Sequence, residues 1–402
     1  MKRFVSQRAR ETERSAIREL LKLTERPDII SFAGGLPDPE TFPNEQLADI
    51  ASRLLREESS RVLQYGTTEG SNTFRNTCVS WLASQGIQVT RDQILVTTSS
   101  QQGLDLLAKA FLDPGDIIFA DSPTYIGALQ AFRLFQAHIV GIPMDRDGMN
   151  LISLNAAIVE AKRSGKRMKG VYVVPNFQNP SGITMSLEKR EQLLEIAKAH
   201  DLLVFEDNPY GELRFKGEPI PSIRSFDVDG RVVMLITFSK TLAAGLRLGI
   251  LIADGQLMET LIRVKQPTDL CTSRLIQHMA ARYLDSGAMT DHLKRIRRRY
   301  GEKCEAMIAA LTKYMPKGKG IKWTEPEGGL FLLLTLQERI DTETMLPRAI
   351  ERKVAYVPGT FFYSDGSGKN TIRLSFSVAD LPKIDEGIRR LAQVIEEEMK
   401  IK

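Results

Sequence analysis

The strongest constraint on the fold is an alternation of short apolar runs with helical patterns between Gln93 and Asp254. Several runs are apolar at both alternating positions, which is typical of strands in a sheet covered on both faces. Amphipathic segments such as Gln101–Leu112 and Leu187–Ala199 separate some of them. The pattern predicts an α/β protein with three αβα layers around a mostly parallel, seven-stranded sheet. The predicted strands are Ile94–Thr98, Asp116–Ala120, His138–Pro143, Val171–Val174, Leu202–Glu206, Val232–Thr237 and Leu248–Ala253.

The two ends of the chain carry a different pattern. Residues 8–24 predict one amphipathic helix, and the turn-rich segment 34–39 follows. After about residue 290 the sequence predicts a long charged helix, then strands at Leu330–Thr335, Val354–Val357 and Ile372–Val378, and a closing helix. We therefore expect residues 1–45 and 291–402 to build one smaller α+β domain beside a large domain of residues 46–290.

Composition limits the classes of protein and partner. The 402 residues are 42% hydrophobic and 26% charged, which is ordinary for a soluble globular protein with a large core. The net charge of +5 is small and dispersed, so it does not favour a nucleic-acid partner. The densest basic run, at 294–299, lies in a helical pattern and predicts a solvated helix face.

Cysteine and histidine usage predicts neither a metal site nor a disulfide framework. Cys78, Cys271 and Cys304 are scattered, and the four histidines show no ligand spacing. The sequence also lacks an apolar run approaching the ~18 residues of a membrane span and an apolar signal segment. We expect a soluble protein of the reducing cytoplasm, without a membrane partner.

One lysine stands in a context that suggests covalent chemistry. Lys240 lies among hydroxyl residues directly after the apolar run that ends at Thr237, and Arg247 follows. A lysine at a buried strand end carries a desolvation cost that a bonding role would explain, and hydroxyls with a guanidinium suit a phosphate. A lysine that forms an imine beside a phosphate points to pyridoxal phosphate. A partly solvated lysine at a strand end is the alternative.

Four further polar groups follow predicted strands, where ligands of open α/β sheets bind. Ser100 begins a helix that could hold a phosphate, although it could also be a plain cap. Tyr125 could stack on a flat ring or be structural, and Asn179 could contact a phenolate or belong only to a rigid turn. Asp207 follows a five-residue apolar run, where a carboxylate needs a cation such as a protonated pyridine, and Tyr210 could reach the same ring.

These residues carry a family resemblance that covers nearly the whole chain. The elements Asn179-Pro180-Ser181-Gly182, Asp207-x-x-Tyr210 and Ser239-Lys240…Arg247 resemble fold-type I, pyridoxal-phosphate-dependent aminotransferases of class I and II in order and spacing. A narrower group contains 2-aminoadipate, aromatic and broad-specificity aminotransferases, and aminotransferase-like domains of certain helix-turn-helix regulators. The segments similar to that group are 17–23, 31–37, 64–66 and 177–180.

The resemblance implies a role toward the cofactor for each matching residue. Lys240 would be the Schiff-base lysine and proton shuttle, Asp207 would pair with the pyridinium nitrogen, and Tyr125 would stack on the ring. Asn179 and Tyr210 would contact the ring oxygen O3′. The phosphate would be held by Ser99, Ser100, Gln101, Thr237, Ser239 and Arg247, and by Tyr65 of the neighbouring subunit of a homodimer.

The resemblance also implies the reaction, which is transfer of an amino group from an amino acid to a 2-oxo acid such as 2-oxoglutarate. Arg373 would grip the substrate α-carboxylate as a fork, with Gly35 and Asn179 beside it. Arg18 aligns with an arginine that could meet a distal carboxylate, and a surface arginine of an amphipathic helix fits equally well. Ile17, Leu20 and Leu21 could cover aromatic or aliphatic side chains.

Two other functions share parts of this pattern. A β-lyase or decarboxylase would use the same lysine and phosphate site, and Arg373 with the whole-chain resemblance favours transamination over it. A pyridoxal-phosphate-sensing regulator would need a DNA-binding domain, for which the residues before the first predicted strand leave no room.

Overall fold

A computed structural model describes residues 2–10, 26 and 28–400. The predicted N-terminal helix is helical at Gln7–Arg10. The rest of that prediction, with Ile17, Arg18, Leu20 and Leu21, lies outside the described residues.

The strands are β1 (Ile30–Ser31), β2 (Ile94–Thr97), β3 (Ile117–Ser122), β4 (His138–Asp145), β5 (Gly148–Met149), β6 (Met168–Val173), β7 (Leu203–Asp207), β8 (Val232–Thr237), β9 (Gly249–Ile252), β10 (Lys322–Trp323), β11 (Phe331–Thr335), β12 (Val354–Ala355), β13 (Val357–Pro358) and β14 (Thr371–Ser375). The described α-helices are α1 (Gln7–Arg10), α2 (Asn44–Glu57), α3 (Ser59–Val62), α4 (Asn72–Ala83), α5 (Ser99–Phe111), α6 (Ile126–Leu134), α7 (Leu151–Arg163), α8 (Leu187–Ala199), α9 (Gly255–Asp269), α10 (Arg274–Asp285), α11 (Ala288–Tyr314), α12 (Thr342–Glu351) and α13 (Leu381–Glu398).

The central sheet has the strand order β2-β9-β8-β7-β6-β3-β4-β5. Strands β8, β7, β6, β3 and β4 pair in parallel, whereas β9 is antiparallel to both β2 and β8. The mostly parallel sheet and all seven predicted strands are confirmed. An eighth strand, β5, forms a hairpin with β4 in which Asp145 faces Gly148, and two residues are too few to carry a strand period.

Helices cover both faces of this sheet, as the predicted αβα layers require. On one face, Leu104 and Leu107 of α5 share a core with Leu235 of β8. On the other face, Ile158 of α7 and Leu193 of α8 share a separate core with strand residues. Six strands run in the same direction, so their carboxyl ends lie along one edge of the sheet. That edge carries the polar groups described below.

A smaller antiparallel sheet, β10-β11-β14-β13, contains most of the C-terminal strands. Strand β1 pairs in parallel with β12, with Ile30 opposite Val354, so an N-terminal segment adjoins the C-terminal part of the chain. The predicted strand at 354–357 is divided around Tyr356, whose hydroxyl donates to the Thr342 carbonyl. Strand β10 was not predicted. The domain boundaries at 45 and 290 stay predictions.

The basic run at 294–299 is only partly the solvated face that was predicted. Lys294, Arg295 and Arg298 are exposed on α11. Arg297 is half-buried and bonds to the Glu212 carboxylate at 2.9 Å, and Arg299 bonds to another carboxylate described below. The prediction is therefore wrong for these two residues, because segments far away in sequence pack against that side of the helix.

The described part of the chain contains neither a candidate membrane span nor a candidate metal site. None of its helices combines the length and apolar character that crossing a membrane requires. No group of three or more His, Cys, Asp or Glu side chains there is arranged to hold a metal ion.

Candidate active site

A cup of hydroxyl groups lies where α5 begins. Ser99 and Thr237 bring their hydroxyl oxygens within 3.3 Å, and the Thr237 hydroxyl donates to the Ser239 hydroxyl at 2.9 Å. Arg247 donates from one guanidinium nitrogen to the Ser239 hydroxyl at 3.4 Å. A Cβ at Gly249 would lie 3.0 Å from the nitrogen of residue 100, so glycine lets β9 pack closely against the start of α5. Hydroxyls, a helix N-terminus and a guanidinium form a site suited to a phosphate.

Tyr125 lies beside this cup. Its hydroxyl donates to Oε1 of Gln101 at 3.2 Å, and the Gln101 amide in turn donates to the Gly127 carbonyl. A side chain at Gly127 would collide with the Tyr125 ring at 2.5 Å. The ring is half-buried and Gln101 and Ser100 keep exposed surface, so all three sequence-predicted residues border the cup.

A buried carboxylate with one unpaired oxygen ends β7. The Tyr172 hydroxyl donates to Oδ2 of Asp207 at 2.8 Å, whereas Oδ1 has no hydrogen-bond partner among the described residues. Burial raises the pKa of Asp207 to about 7. A buried carboxylate is costly without a cation. The free oxygen therefore fits a protonated ring nitrogen, which would supply both the charge and a donor.

Asn179 connects two other predicted residues. Its amide nitrogen lies 3.4 Å from the Tyr210 hydroxyl, and its Oδ1 accepts from Arg373 at 3.0 Å. All three side chains are buried. Burial raises the pKa of the Tyr210 phenol, which keeps it protonated and able to donate to a phenolate oxygen.

Arg373 is held in a fixed plane. Its guanidinium carbon lies 4.3 Å and 4.9 Å from the ring centres of Phe331 and Phe362. One terminal nitrogen donates to the Ala33 carbonyl at 2.6 Å, and Nε has no partner among the described residues. Burial lowers the pKa of Arg373 to about 10, so it stays charged at neutral pH. A planar cation with a free donor suits a carboxylate.

Lys240 contacts the same loop as Arg373. Its Nζ donates to the Gly35 carbonyl at 2.7 Å. Burial, followed by the positive charges of Arg373 and Arg247, lowers the pKa of Lys240 to about 8. A substantial fraction of the amine is therefore neutral near pH 7.5, as a nucleophile or base must be.

Tyr65 is not part of this cluster within one chain. Its side chain is 76% exposed, and its carbonyl accepts from Arg274 at 3.1 Å. The predicted Arg18 lies outside the described residues. Every other predicted site residue lies along the carboxyl edge of the sheet or on the segments that face it.

The sequence reading missed several contacts of the site. Tyr172 reads as an ordinary strand residue, and Phe331 and Phe362 read as core. Gln178 is fully buried and donates to the Pro123 carbonyl at 2.6 Å, while its Oε1 accepts from the Ser181 hydroxyl. In the sequence it stands within the segment 177–180, with no role predicted for its own side chain. A buried amide inside a turn was the available signal.

Comparisons with known proteins identify the family. Residues 27–391 match the family described as aminotransferase class I and II. The chain is 45% identical to aromatic-amino-acid aminotransferase 1 of Thermococcus litoralis, covering 99% of this chain and 95% of that protein. It is 40% identical to 2-aminoadipate transaminase of Thermus thermophilus, covering 95% and 94%.

A solved structure is also closely similar. The kynurenine aminotransferase of Pyrococcus horikoshii superposes with a TM-score of 0.95 at 46% identity, covering 99% of this chain and 98% of that one. The resemblance to the pyridoxal-phosphate-dependent aminotransferases that the motifs predicted is confirmed, and the chain belongs to the class I and II aminotransferase family.

Proposed function

We propose that this chain transfers an amino group from an amino acid to a 2-oxo acid such as 2-oxoglutarate, at the site formed by Lys240, Asp207 and Arg373. The observation that carries the proposal is their convergence. Lys240 has a lowered pKa, Asp207 has a free oxygen and Arg373 has a free donor. Lys240 and Arg373 donate to carbonyls of one loop, and Arg373 and Asp207 both lie close enough to Tyr210 to influence its pKa. Pyridoxal phosphate is the cofactor, and when bound it supplies an aldehyde for amines and a ring that withdraws electrons from the substrate Cα.

Different residues of the site would bind different parts of the cofactor. Asp207 would sustain positive charge at the ring nitrogen, and Asn179 with Tyr210 would hold the ring oxygen. The cup would take the phosphate together with Ser100 and Gln101 at its border; the cup consists of Ser99, Thr237, Ser239 and Arg247. Support comes from the free oxygen of Asp207 and from the hydroxyl contacts that join the cup.

Lys240 would do the proton chemistry. A neutral Nζ takes the proton from the substrate Cα, and its pKa of about 8 makes that form available near neutral pH. The Gly35 carbonyl, which accepts from Nζ at 2.7 Å, would orient the amine when it is not bonded. Arg373 would hold the α-carboxylate and so present Cα to this base.

The side-chain specificity is proposed to be broad, covering 2-aminoadipate, aromatic and branched-chain donors. The relatives are named for aromatic amino acids, 2-aminoadipate and kynurenine, which differ in charge and size. Arg18 would meet a distal carboxylate, with Ile17, Leu20 and Leu21 covering apolar side chains. Comparing kcat/KM for aminoadipate, phenylalanine, tyrosine, leucine and glutamate ranks these donors.

The active form is proposed to be a homodimer in the cytoplasm. Tyr65, with 76% of its side chain exposed, would reach the phosphate in the partner subunit. Leu63 and Leu270 are also exposed, and Cys271 next to Leu270 accepts from the amide of residue 66, so apolar surface surrounds Tyr65. The three cysteines are free, which fits a reducing compartment.

The test is chemical mapping of the lysine. The protein is loaded with pyridoxal phosphate, reduced with borohydride and digested, and we expect the label on Lys240. Lys240→Ala should abolish label and turnover, whereas Lys313→Ala, at an exposed position of α11, should keep both. Label at another residue, or turnover by Lys240→Ala, rules the proposal out.

A half-reaction separates transamination from the lyase and decarboxylase alternatives. With an amino acid and no oxo acid, we expect one equivalent of pyridoxamine phosphate and one of oxo acid per site. Release of carbon dioxide or of a β-substituent without pyridoxamine phosphate would favour an alternative.

A further inference from the structure

A buried lysine outside the cofactor region uses all of its hydrogen-bond donors. Lys303 of α11 is 4% exposed, and its Nζ donates to Oδ2 of Asp38 at 2.6 Å. It also donates to the carbonyl oxygens of Ser377 at 2.7 Å and Val378 at 3.2 Å. An ammonium has three N–H groups, so this geometry satisfies each of them. One side chain thereby joins three segments of the chain.

The first of these segments is the loop from residue 32 to Asp38. Within it, the Ala33 carbonyl accepts from Arg373 at 2.6 Å, and the Gly35 carbonyl accepts from Lys240 at 2.7 Å. The loop therefore touches both cations of the proposed active site. Asp38 lies at the end of the loop and is the side chain through which α11 holds it.

The second segment follows β14, the strand that carries Arg373. Ser377 and Val378 lie just past the end of this strand, and the Ser377 hydroxyl donates to the Leu36 carbonyl at 2.6 Å. Lys303 thus adds a charged link to two direct bonds between this segment and the loop, from the Ser375 amide to the Phe32 carbonyl at 2.9 Å and from the Ser377 hydroxyl. This segment and the loop are the two walls between which a substrate α-carboxylate would lie.

Two cations and two carboxylates meet at this junction, because Arg299 pairs with Glu40 as well as with Asp38. Burial raises the pKa of Asp38, but hydrogen bonds from Lys303 and Arg299 outweigh it and leave the pKa lowered. The Asp38 amide also donates to the Tyr300 hydroxyl at 3.0 Å. Such a buried ion pair adds little net stability compared with apolar packing, whereas its directed bonds determine geometry. A role in positioning explains its presence better than stability does.

We propose that Lys303 is a positioning residue for the substrate α-carboxylate, acting through Asp38 to fix the loop of Gly35 against Arg373. The inference rests on the proposed function, because the carboxylate is the ligand of that site. Lys303 does not touch substrate or cofactor itself. Its removal leaves the Asp38 carboxylate with Arg299, which is 37% exposed and bonds from the solvent side. The loop would keep its bonds to the Tyr300 and Ser377 hydroxyls but lose its buried charged link to α11, so it could shift outward.

The experiment compares Lys303→Met with Lys313→Met in the holoenzyme. Methionine keeps the length and apolar stem of the lysine, and Lys313 lies on the same helix with its side chain 62% exposed. The probes are phenylalanine and 2-phenylethylamine, which differ only in the α-carboxylate. For each protein, the rate and the half-saturating concentration of the half-reaction are measured from the cofactor absorbance.

We expect Lys303→Met to lower kcat/KM for phenylalanine about tenfold or more, mainly through KM, because a misplaced binding group costs this much. The rate with 2-phenylethylamine should change less than about twofold on the same reasoning. Lys313→Met should match the wild type with both probes. Equal losses for both probes, or no loss, would overturn the proposal.

A second measurement does not depend on turnover. In the holoenzyme without substrate, hydrogen exchange of peptides covering residues 32–39 should accelerate in Lys303→Met and stay unchanged in Lys313→Met. Asp38→Asn keeps an oxygen acceptor, so the exchange of these peptides should accelerate less than in Lys303→Met. This variant serves as the test if Lys303→Met does not fold. Unchanged exchange in both Lys303→Met and Asp38→Asn refutes the proposal that Lys303 holds the loop through Asp38. A wild type that forms no pyridoxamine phosphate with aminoadipate, phenylalanine, tyrosine, leucine or glutamate refutes the proposed function, and the exchange data alone then decide whether Lys303 holds the loop.

Discussion

Tyr172 donates a 2.8 Å hydrogen bond to one oxygen of Asp207, and the other oxygen of that carboxylate has no partner among the described residues. Tyr172 lies on β6 and pairs with Phe205 of the parallel strand β7, so the two side chains come from neighbouring strands. The fold therefore holds half of the carboxylate and leaves the other half for a cation. This asymmetry predicts how stability depends on pH.

The cofactor-free protein should become less stable as Asp207 ionises. The folded-state pKa of about 7 lies above the ordinary aspartate pKa of 3.8, so the folded chain binds more protons between these values and loses stability as pH rises through them. We expect Asp207→Asn to match the wild type near pH 4 and to exceed its unfolding free energy by up to about 4 kcal/mol at pH 8. Urea unfolding across this range measures the difference. Parallel profiles for the two proteins would contradict the prediction.

With pyridoxal phosphate bound, the same substitution should have the opposite effect. An amide cannot balance a protonated ring nitrogen, so Asp207→Asn should bind the cofactor more weakly and lose roughly 100-fold or more in kcat. Cofactor titration and half-reaction rates report these two effects. Turnover equal to the wild type would show that the carboxylate is not the partner of the ring.

Arg373→Lys should be a severe change despite conserving charge. The arginine donates to Asn179 and Ala33 and lies between two aromatic rings, and an ammonium cannot reproduce this planar arrangement. We expect kcat/KM for amino acids to fall roughly 30- to 150-fold, which corresponds to a loss of about 2–3 kcal/mol in transition-state stabilisation. Most of the loss should appear as a higher KM. Affinity for pyridoxal phosphate serves as the control and should change little. A comparable loss of cofactor affinity would indicate that Arg373 binds the cofactor and not the substrate α-carboxylate.

Gln178→Leu should loosen two cofactor-facing residues together. The buried amide joins the Pro123 carbonyl, two residues before Tyr125, to Ser181, two residues after Asn179. Leucine of similar size leaves these groups unpaired, so we expect a loss of about 2–4 kcal/mol in unfolding free energy.

Cofactor affinity should fall with it, because both Tyr125 and Asn179 lose support. Denaturant unfolding and cofactor titration measure the two effects. Gln192→Leu, an exposed position on α8, is the matched control and should behave as the wild type. A destabilised Gln178→Leu that keeps full cofactor affinity would reduce Gln178 to a purely structural residue.

Mixed dimers test whether Tyr65 acts across the subunit boundary. Tyr65→Phe should lower cofactor affinity by about 10- to 100-fold, since it removes one bond to a charged group. Mixing Tyr65→Phe with inactive Lys240→Ala forms hybrids in which one site has both its own Lys240 and the partner's Tyr65. At cofactor concentrations that leave Tyr65→Phe unloaded, activity should appear on mixing. Its absence from verified hybrid dimers, or an active monomer, rejects the shared site.

The strands and several site residues could be predicted because they depend on residues that are neighbours in sequence. Apolar runs and their spacing gave the seven strands of the sheet, because strand and helix periods are written in neighbouring residues. The residues that follow those strands were expected to meet, because parallel strands end at one edge. Lys240, Asp207 and Tyr210 were found in this way, from position after a strand and from residue type.

Contacts between segments that are distant in sequence could not be predicted from local patterns. Lys303 and Asp38 are 265 residues apart, and Arg373 and Asn179 are 194 apart. In sequence, Lys303 is one basic residue of a charged helix, and Arg299 belongs to a run that was expected to be solvated. Nothing local distinguishes a lysine that faces water from one that meets a buried carboxylate.

The sequence alone determined the layered sheet, the family and the residues suited to bind an aldehyde cofactor, because each depends on local period or residue chemistry. Tertiary structure decided which oxygen of Asp207 stays free, that Phe331 and Phe362 hold the plane of Arg373, and that α11 anchors the loop of Gly35. Those features depend on how closely packed elements approach one another, and the distances are set by the whole core rather than by any one segment.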